Sequence, residues 1–163
     1  MNERVAFGNE KEFREAARRA YEEHHRALGA LLPRARIEHV GSTAVPGSVT
    51  KGDLDICVLV DPADFLEADA LLAGRCARNH GSIHTTSFAA FTVDGGAIDV
   101  GIQLVAAGSE WDTFVRWRDL LRSHPVLRRA YDELKRRYDG GPMDDYRAAK
   151  ASFIGEALSG RQG

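Results

Sequence analysis

The chemistry this sequence offers rests on three acidic residues and one small turn. Asp53-Leu54-Asp55 opens an apolar run that ends at Val60, and alternation along a strand sends side chains i and i+2 to one face. Two carboxylates held that close repel, and their pKa values rise unless a cation lies between them. A divalent metal suits the place, because Mg²⁺ takes hard oxygen ligands and is usually shared with substrate phosphates. Asp99, in Ala97-Ile98-Asp99-Val100, is a third acid in an apolar setting. If its strand neighbours the first, Asp53, Asp55 and Asp99 converge on two Mg²⁺ ions, which can clamp the attacking and leaving oxygens of an in-line phosphoryl displacement. Gly41-Ser42 supplies the complement. Glycine lets a phosphate approach the backbone, and the helical start that follows aims N–H groups at an anion. Asp-x-Asp alone is a common strand-end pair. The Gly-Ser turn, a ten-residue spacer from Thr43 to Gly52, the acid pair and a later strand-borne acid together favour metal–nucleotide chemistry over a structural role.

The elements that must position these residues follow from periodicity. Between Asn9 and Leu32, apolar Phe13, Ala17, Ala20, Tyr21, Leu28, Leu31 and Leu32 recur at helical spacing, and Pro33 ends the helix. Arg36 to Val40 alternates as a short strand, and Asp53 to Val60 is the strongest one. Asp61-Pro62 starts a helix reaching about Ala73, and residues 75–86 are a short strand or a loop. Ser87 to Val93 and Ala97 to Val105 read as strands joined by Asp94-Gly95-Gly96, a hairpin signal. From Ser109 onward the pattern is helical, with starts at Ser109 and at Ser123-His124-Pro125, a break at Asp139-Gly140-Gly141-Pro142, and a last helix from about Asp144 to Leu158. The order predicts an α+β fold: a small mixed or antiparallel sheet within 34–106, covered by helices, then a helical C-terminal third over 109–158, all in one domain spanning 1–163.

Length and composition agree with one ordinary globular unit. The chain has 163 residues, 44% hydrophobic and 28% charged. Its longest apolar stretch, Ile56 to Val60, is far short of the roughly 20 residues of a membrane span. The charged start Met1-Asn2-Glu3-Arg4 gives no secretion signal, and the single Cys57 and Cys76 make no disulfide framework, so a cytoplasmic setting is expected. The net charge of −2 argues against wholesale binding of polyanions. Residues 61–110 carry two basic and seven acidic side chains, and 111–163 carry eleven and eight. A site with metal on one wall and phosphate on the other would use that asymmetry; so would solvated helix surfaces.

The set resembles the nucleotidyltransferase superfamily of DNA polymerase β-like fold, whose signature is Gly-Ser, a spacer, Asp-x-Asp and a later Asp. More narrowly, His39-Val40-Gly41-Ser42-Thr43-Ala44-Val45-Pro46-Gly47, Lys51 and Asp55-Ile56 are similar to the GrpB family of predicted nucleotidyltransferases. Gly108-Ser109-Glu110-Trp111, the run from Arg118 to Pro125, Tyr131, Leu134, Lys135, and the run from Tyr146 to Ile154 continue the resemblance, which is weakest between Arg75 and Val105. Many GrpB-like sequences carry one acid in the strand motif, matching Asp55; here Asp53 restores the pair. Many also carry His-x-His on the later strand, where this chain reads Gly101-Ile102-Gln103 with Asp99 two residues earlier.

The resemblance implies that Ser42 contacts the β- and γ-phosphates, with Gly41 allowing close approach. It implies that Asp53 and Asp55 ligate both metals, and that Asp99 ligates one and helps deprotonate the incoming hydroxyl. Lys51 could touch phosphate or lie solvated in its loop. Arg128 and Lys135, seven apart on one helix face, and Lys150 are candidates for the triphosphate, or members of a solvated face. Tyr146 and Lys150, four apart, could both face the cleft. His39 is expected to hydrogen-bond the Gly-Ser loop, and Trp111 and Trp117 to pack in the core. The expected activity is Mg²⁺-dependent transfer of a nucleoside monophosphate from an NTP to a hydroxyl, with pyrophosphate release. The acceptor would be a small molecule or a protein rather than nucleic acid, and no membrane is involved. A nucleotide-binding module that performs no transfer is the alternative.

Overall fold

A computed structural model describes residues 4 and 7 and residues 10–160. Its elements are α1 (Glu10–Leu31), β1 (Arg36–Val40), β2 (Leu54–Val60), α2 (Phe65–Ala73), β3 (Ala77–Arg78), β4 (Phe88–Val93), β5 (Val100–Ala106), α3 (Phe114–Ser123), α4 (Pro125–Tyr138) and α5 (Met143–Ser159). The strands form one mixed sheet in the order β1-β2-β5-β4-β3. β2 and β5 run parallel, and the other pairs are antiparallel. The α+β reading, with a helical C-terminal part, therefore holds.

Alternation along β2 divides the molecule. Leu54, Ile56, Val58 and Val60 point to one face, where Ile102 and Leu104 of β5 join Ala17 and Leu28 of α1 and Phe65, Ala68 and Leu72 of α2 in the main core. Burial of each of the larger side chains among these contributes about 2 kcal/mol. Cys57 and Leu59 point to the other face with Val105, Phe88 and Ala90, against Trp111, Phe114 and Val115. Burial pushes the Cys57 thiol up to about 12. Asp53 and Asp55 are in phase with Cys57, so the apolar period that builds the core also delivers both acids to the α3 side of the sheet.

Two expected boundaries move. The second hairpin strand begins at Val100 instead of Ala97, because Val93 pairs with Val100 and residues 94–99 loop out between them. Asp99 thus precedes the strand and is exposed, while its carbonyl accepts the Leu54 N–H at 2.9 Å. The helix expected from Ser109 begins at Phe114. The Asp112 carboxylate accepts the Gly108 N–H at 2.8 Å, a local turn that competes with helix formation.

The irregular stretch from Gly41 to Asp53 is held by two sets of polar contacts. In the first, His39 Nε2 lies 2.9 Å from Thr43 Oγ1, whose hydroxyl donates to the Asp53 carbonyl at 3.0 Å. His39 therefore donates, as a neutral ring protonated at Nε2 and stacked on Tyr21 at 5.0 Å. Burial, reinforced by Arg122 and Arg118, lowers its pKa to about 4. In the second, the buried Asp132 carboxylate accepts from Ser48 Oγ at 3.0 Å and from the Val49 N–H at 2.9 Å. Lys135 Nζ donates to Ser48 Oγ at 2.9 Å and to the Val49 carbonyl at 2.6 Å. Burial brings the Lys135 amine down to about 7, against the opposing pull of Asp132.

Each set makes a prediction. The His39 pKa is lower in the folded chain than the ordinary 6.5, so the unfolded chain binds the extra proton first. Stability is complete above pH 6.5 and falls toward pH 4. Denaturant unfolding of wild type and His39→Gln across that range should show the variant losing about 2 kcal/mol less. Asp132→Ala strands buried donors on Ser48 and Val49 and should cost about 3 kcal/mol in the same measurement at neutral pH.

Candidate active site

The two acids open onto a cleft of about 190 Å³ between the β1–β2–β5 side of the sheet and helices α3, α4 and α5. Gly41, Ser42, Lys51, Asp53, Asp55 and Gln103 line its polar wall. Phe114, Trp117, Leu121, Tyr131, Tyr146 and Ile154 line the other. A separate hollow of about 270 Å³ lies between the end of α1 and α2 and is lined by none of the residues expected to act.

Gly41 determines how closely the turn meets β2. It adopts φ 78°, and a Cβ there would fall 3.0 Å from Asp55 Cβ and 3.1 Å from its Cγ, so a side chain would drive the carboxylate away. Ser42 donates to Thr50 Oγ1 at 2.8 Å, which in turn accepts the Gly52 N–H at 3.0 Å. The loop is thereby folded back so that the Gly-Ser turn and the acids share one cleft.

The carboxylates differ in surroundings. Asp53 Oδ2 lies 3.1 Å from Lys51 Nζ. Asp55 is pushed above the usual carboxylate range, chiefly by burial and further by Asp53, with Lys150, Lys51 and a hydrogen bond from the Gln103 amide opposing. Such a pair is a hard, anionic oxygen donor set, suited to a divalent cation. Asp99 does not join it. Among the described residues no three His, Cys, Asp or Glu side chains gather as a metal-holding group, and Asp99 is not part of the cleft lining. The expected convergence of three acids is corrected to a pair: Asp99 is exposed, in the loop before β5, and does not line the cleft.

The expected phosphate contacts also separate. Lys150 lines the cleft; among the described residues no hydrogen bond or ion pair engages its amine, which sits 5.9 Å from the Tyr146 ring centre. Lys51 lines it too, paired with Asp53. Lys135 reaches the cleft wall, but its amine is committed to Ser48 and Val49. Arg128 packs its guanidinium against Gly47 and lies 3.9 Å from Asp132, outside the lining. The two residues share a helix face, but loop 45–50 covers that face.

Other residues complete the site. Gln103 lines the cleft beside Asp55, to which its amide is hydrogen-bonded. Tyr131 and Tyr146 are hydrogen-bonded to each other, and burial raises both hydroxyls. Arg118, one of the residues that carry the family resemblance, is buried and donates to Glu38 Oε2 at 2.6 Å and to the His39 carbonyl at 3.0 Å, fixing α3 to β1. The place of Gln103 at the end of the Gly101-Ile102-Gln103 run and its phase with Gly101 and Val105 were the signals available in the sequence.

Comparison with known proteins is consistent with this geometry. The sequence matches the family model described as GrpB protein over residues 10–159. A UPF0157 protein of Vibrio cholerae is 34% identical over 158 residues, covering 97% of this chain and 84% of the relative. A UPF0157 protein of Deinococcus radiodurans is 31% identical over 140 residues, covering 85% and 73%. The crystal structure of the conserved protein GrpB from Enterococcus faecalis superimposes with a TM-score of 0.63 at 20% identity, covering 88% of this chain and 95% of that one. The Cid1 poly(U) polymerase with MgGTP bound gives 0.51 at 16% identity, covering 76% of this chain and 40% of Cid1. These two are likenesses of fold, and they make the sheet and its helices nucleotidyltransferase-like. No helix among the described residues is long and apolar enough to cross a membrane. With the match running from the first residue of α1 to the last of α5, this chain belongs to the GrpB family.

Proposed function

We propose that the protein is a nucleotidyltransferase using Mg²⁺ and an NTP, and that it transfers the nucleoside monophosphate to a hydroxyl of a small molecule or protein. The observation carrying this reading is the meeting of Asp53 and Asp55 with the Gly41-Ser42 turn in one cleft of a nucleotidyltransferase-like fold. Phosphoryl-group transfer is catalysed mostly by positioning and charge neutralisation, and these residues offer both. Asp53 and Asp55 would hold the metal, which supplies Lewis-acid neutralisation of the phosphates. Gly41 leaves the backbone open to a phosphate, Ser42 offers a hydroxyl, and Lys150 brings an uncommitted positive charge to the same space. The acceptor oxygen bonds to the α-phosphorus, the bond from that phosphorus to the bridging oxygen of the leaving group breaks, pyrophosphate departs, and the hydroxyl proton leaves to solvent. The apolar wall of Phe114, Trp117, Leu121 and Ile154 excludes water and offers a face for the nucleobase.

A nucleotide-binding module that performs no transfer is the second reading, favoured by the position of Asp99 outside the cleft. Pyrophosphate release separates the two readings. Incubated with labelled NTP, Mg²⁺ and a pool of candidate acceptors, the wild type should release pyrophosphate and form a labelled product. Stoichiometric nucleotide binding without product would favour the module.

Asp55→Asn should lower turnover by at least about 100-fold, since it removes charge aimed at the transition state, and should leave the circular dichroism spectrum unchanged. Lys150→Met should raise the KM for NTP about 10-fold with a smaller effect on kcat, as for the loss of a ground-state phosphate contact. Steady-state kinetics check both.

A further inference from the structure

The wall carrying the two acids leaves one acceptor unsatisfied. Gln103 Oε1 is buried and has no hydrogen-bond partner among the described residues, while its amide nitrogen donates to Asp55. A buried carbonyl oxygen left unpaired is costly, so a bound group that engages it recovers free energy. The ground beneath it is bare. A Cβ on Gly101 would lie 3.3 Å from both Asp55 Oδ1 and Gln103 Nε2, so the missing side chain lets the amide and the carboxylate meet. Amide carbonyl oxygens are accepted ligands of hard divalent cations beside carboxylates. Charge limits how many ions fit. Asp53 and Asp55 supply two negative charges, equal to one divalent ion, and Lys51 and Lys150 already stand in the same cleft.

We propose that Gln103, through its amide oxygen, is the third protein ligand of the cation held by Asp53 and Asp55, and that the site takes one divalent ion per chain. The inference rests on the reading of the cleft as a cation site, and goes beyond it by replacing a third carboxylate with a neutral donor. Such a site binds a bare ion weakly and gains affinity when a phosphate completes the coordination. Lys51 is the resident counter-charge of Asp53, a place the ion would take over.

Titration of the apo protein with Mn²⁺, followed by electron paramagnetic resonance, tests this without any turnover assay. The wild type should bind one Mn²⁺, displaced by excess Mg²⁺. Gln103→Leu should weaken binding about 10-fold, in the range seen when a metal site loses a polar partner. Gln103→Glu should restore or tighten it, which separates ligation from a folding defect; thermal melts accompany each variant. Mn²⁺ affinity indifferent to Gln103→Leu, or two equivalent ions on the wild type, would overturn the proposal while leaving the transfer reading intact. Absence of Mn²⁺ binding in wild type and Gln103→Glu alike would overturn both. Binding that follows Gln103 in a protein with no pyrophosphate release would retire only the transfer reading.

Discussion

A single missing methyl group sets the distance on which the cleft depends. Gly41 turns the chain at φ 78° with its Cα against the Asp55 side chain, so the turn and the strand approach as closely as atoms allow. Bare backbone and a carboxylate then border the same small volume. Every neighbouring contact maintains that approach. The β1–β2 register sets Val40 opposite Asp55, the Thr43 hydroxyl holds the Asp53 carbonyl, and Ser42 and Thr50 close the loop on itself.

Stabilisation of the loop comes from polar groups, which is uncommon for a stretch this buried. Thr43, Ser48 and Thr50 are each at most 2% exposed, and Asp132 and Lys135 are similarly enclosed. A loop that must leave its backbone open to a ligand cannot cover itself with large apolar side chains. Hydrogen bonds to α4 replace them, with desolvation of the Lys135 amine as the cost. Arg118 and Arg122 of α3 play the same part for β1 and the turn, through the His39 and Ala44 carbonyls.

The fold was legible in the sequence where the physics is local. The 3.6-residue spacing from Phe13 to Leu32 sets α1 nearly to its ends, and the apolar run to Val60 names β2. Boundaries set by competition were not legible. Whether 97–99 joins a strand depends on where Val93 finds its partner, and whether Ser109 begins a helix depends on Asp112 turning back to Gly108. In the site, the Gly-Ser turn and the paired acids are sequence-local and were read directly. The fates of Arg128 and Lys135 were not, because spacing places two cations on one helix face but does not reveal that loop 45–50 lies over it. For Gln103 the sequence shows only a departure from the relatives' His-x-His pattern, since its meaning comes from Gly101 beneath it and Asp55 beside it.

The placement of the two thiols gives the molecule an internal gauge of its own opening. Cys57 lies on the sheet face that supports the cleft, with its pKa near 12. At neutral pH only about one such group in a hundred thousand is the reactive thiolate. Cys76 lies partly exposed beyond α2. An alkylating reagent therefore meets one cysteine in the native protein and reaches the second only when α3 lifts from the sheet, so the second modification counts excursions of the layer that walls the cleft.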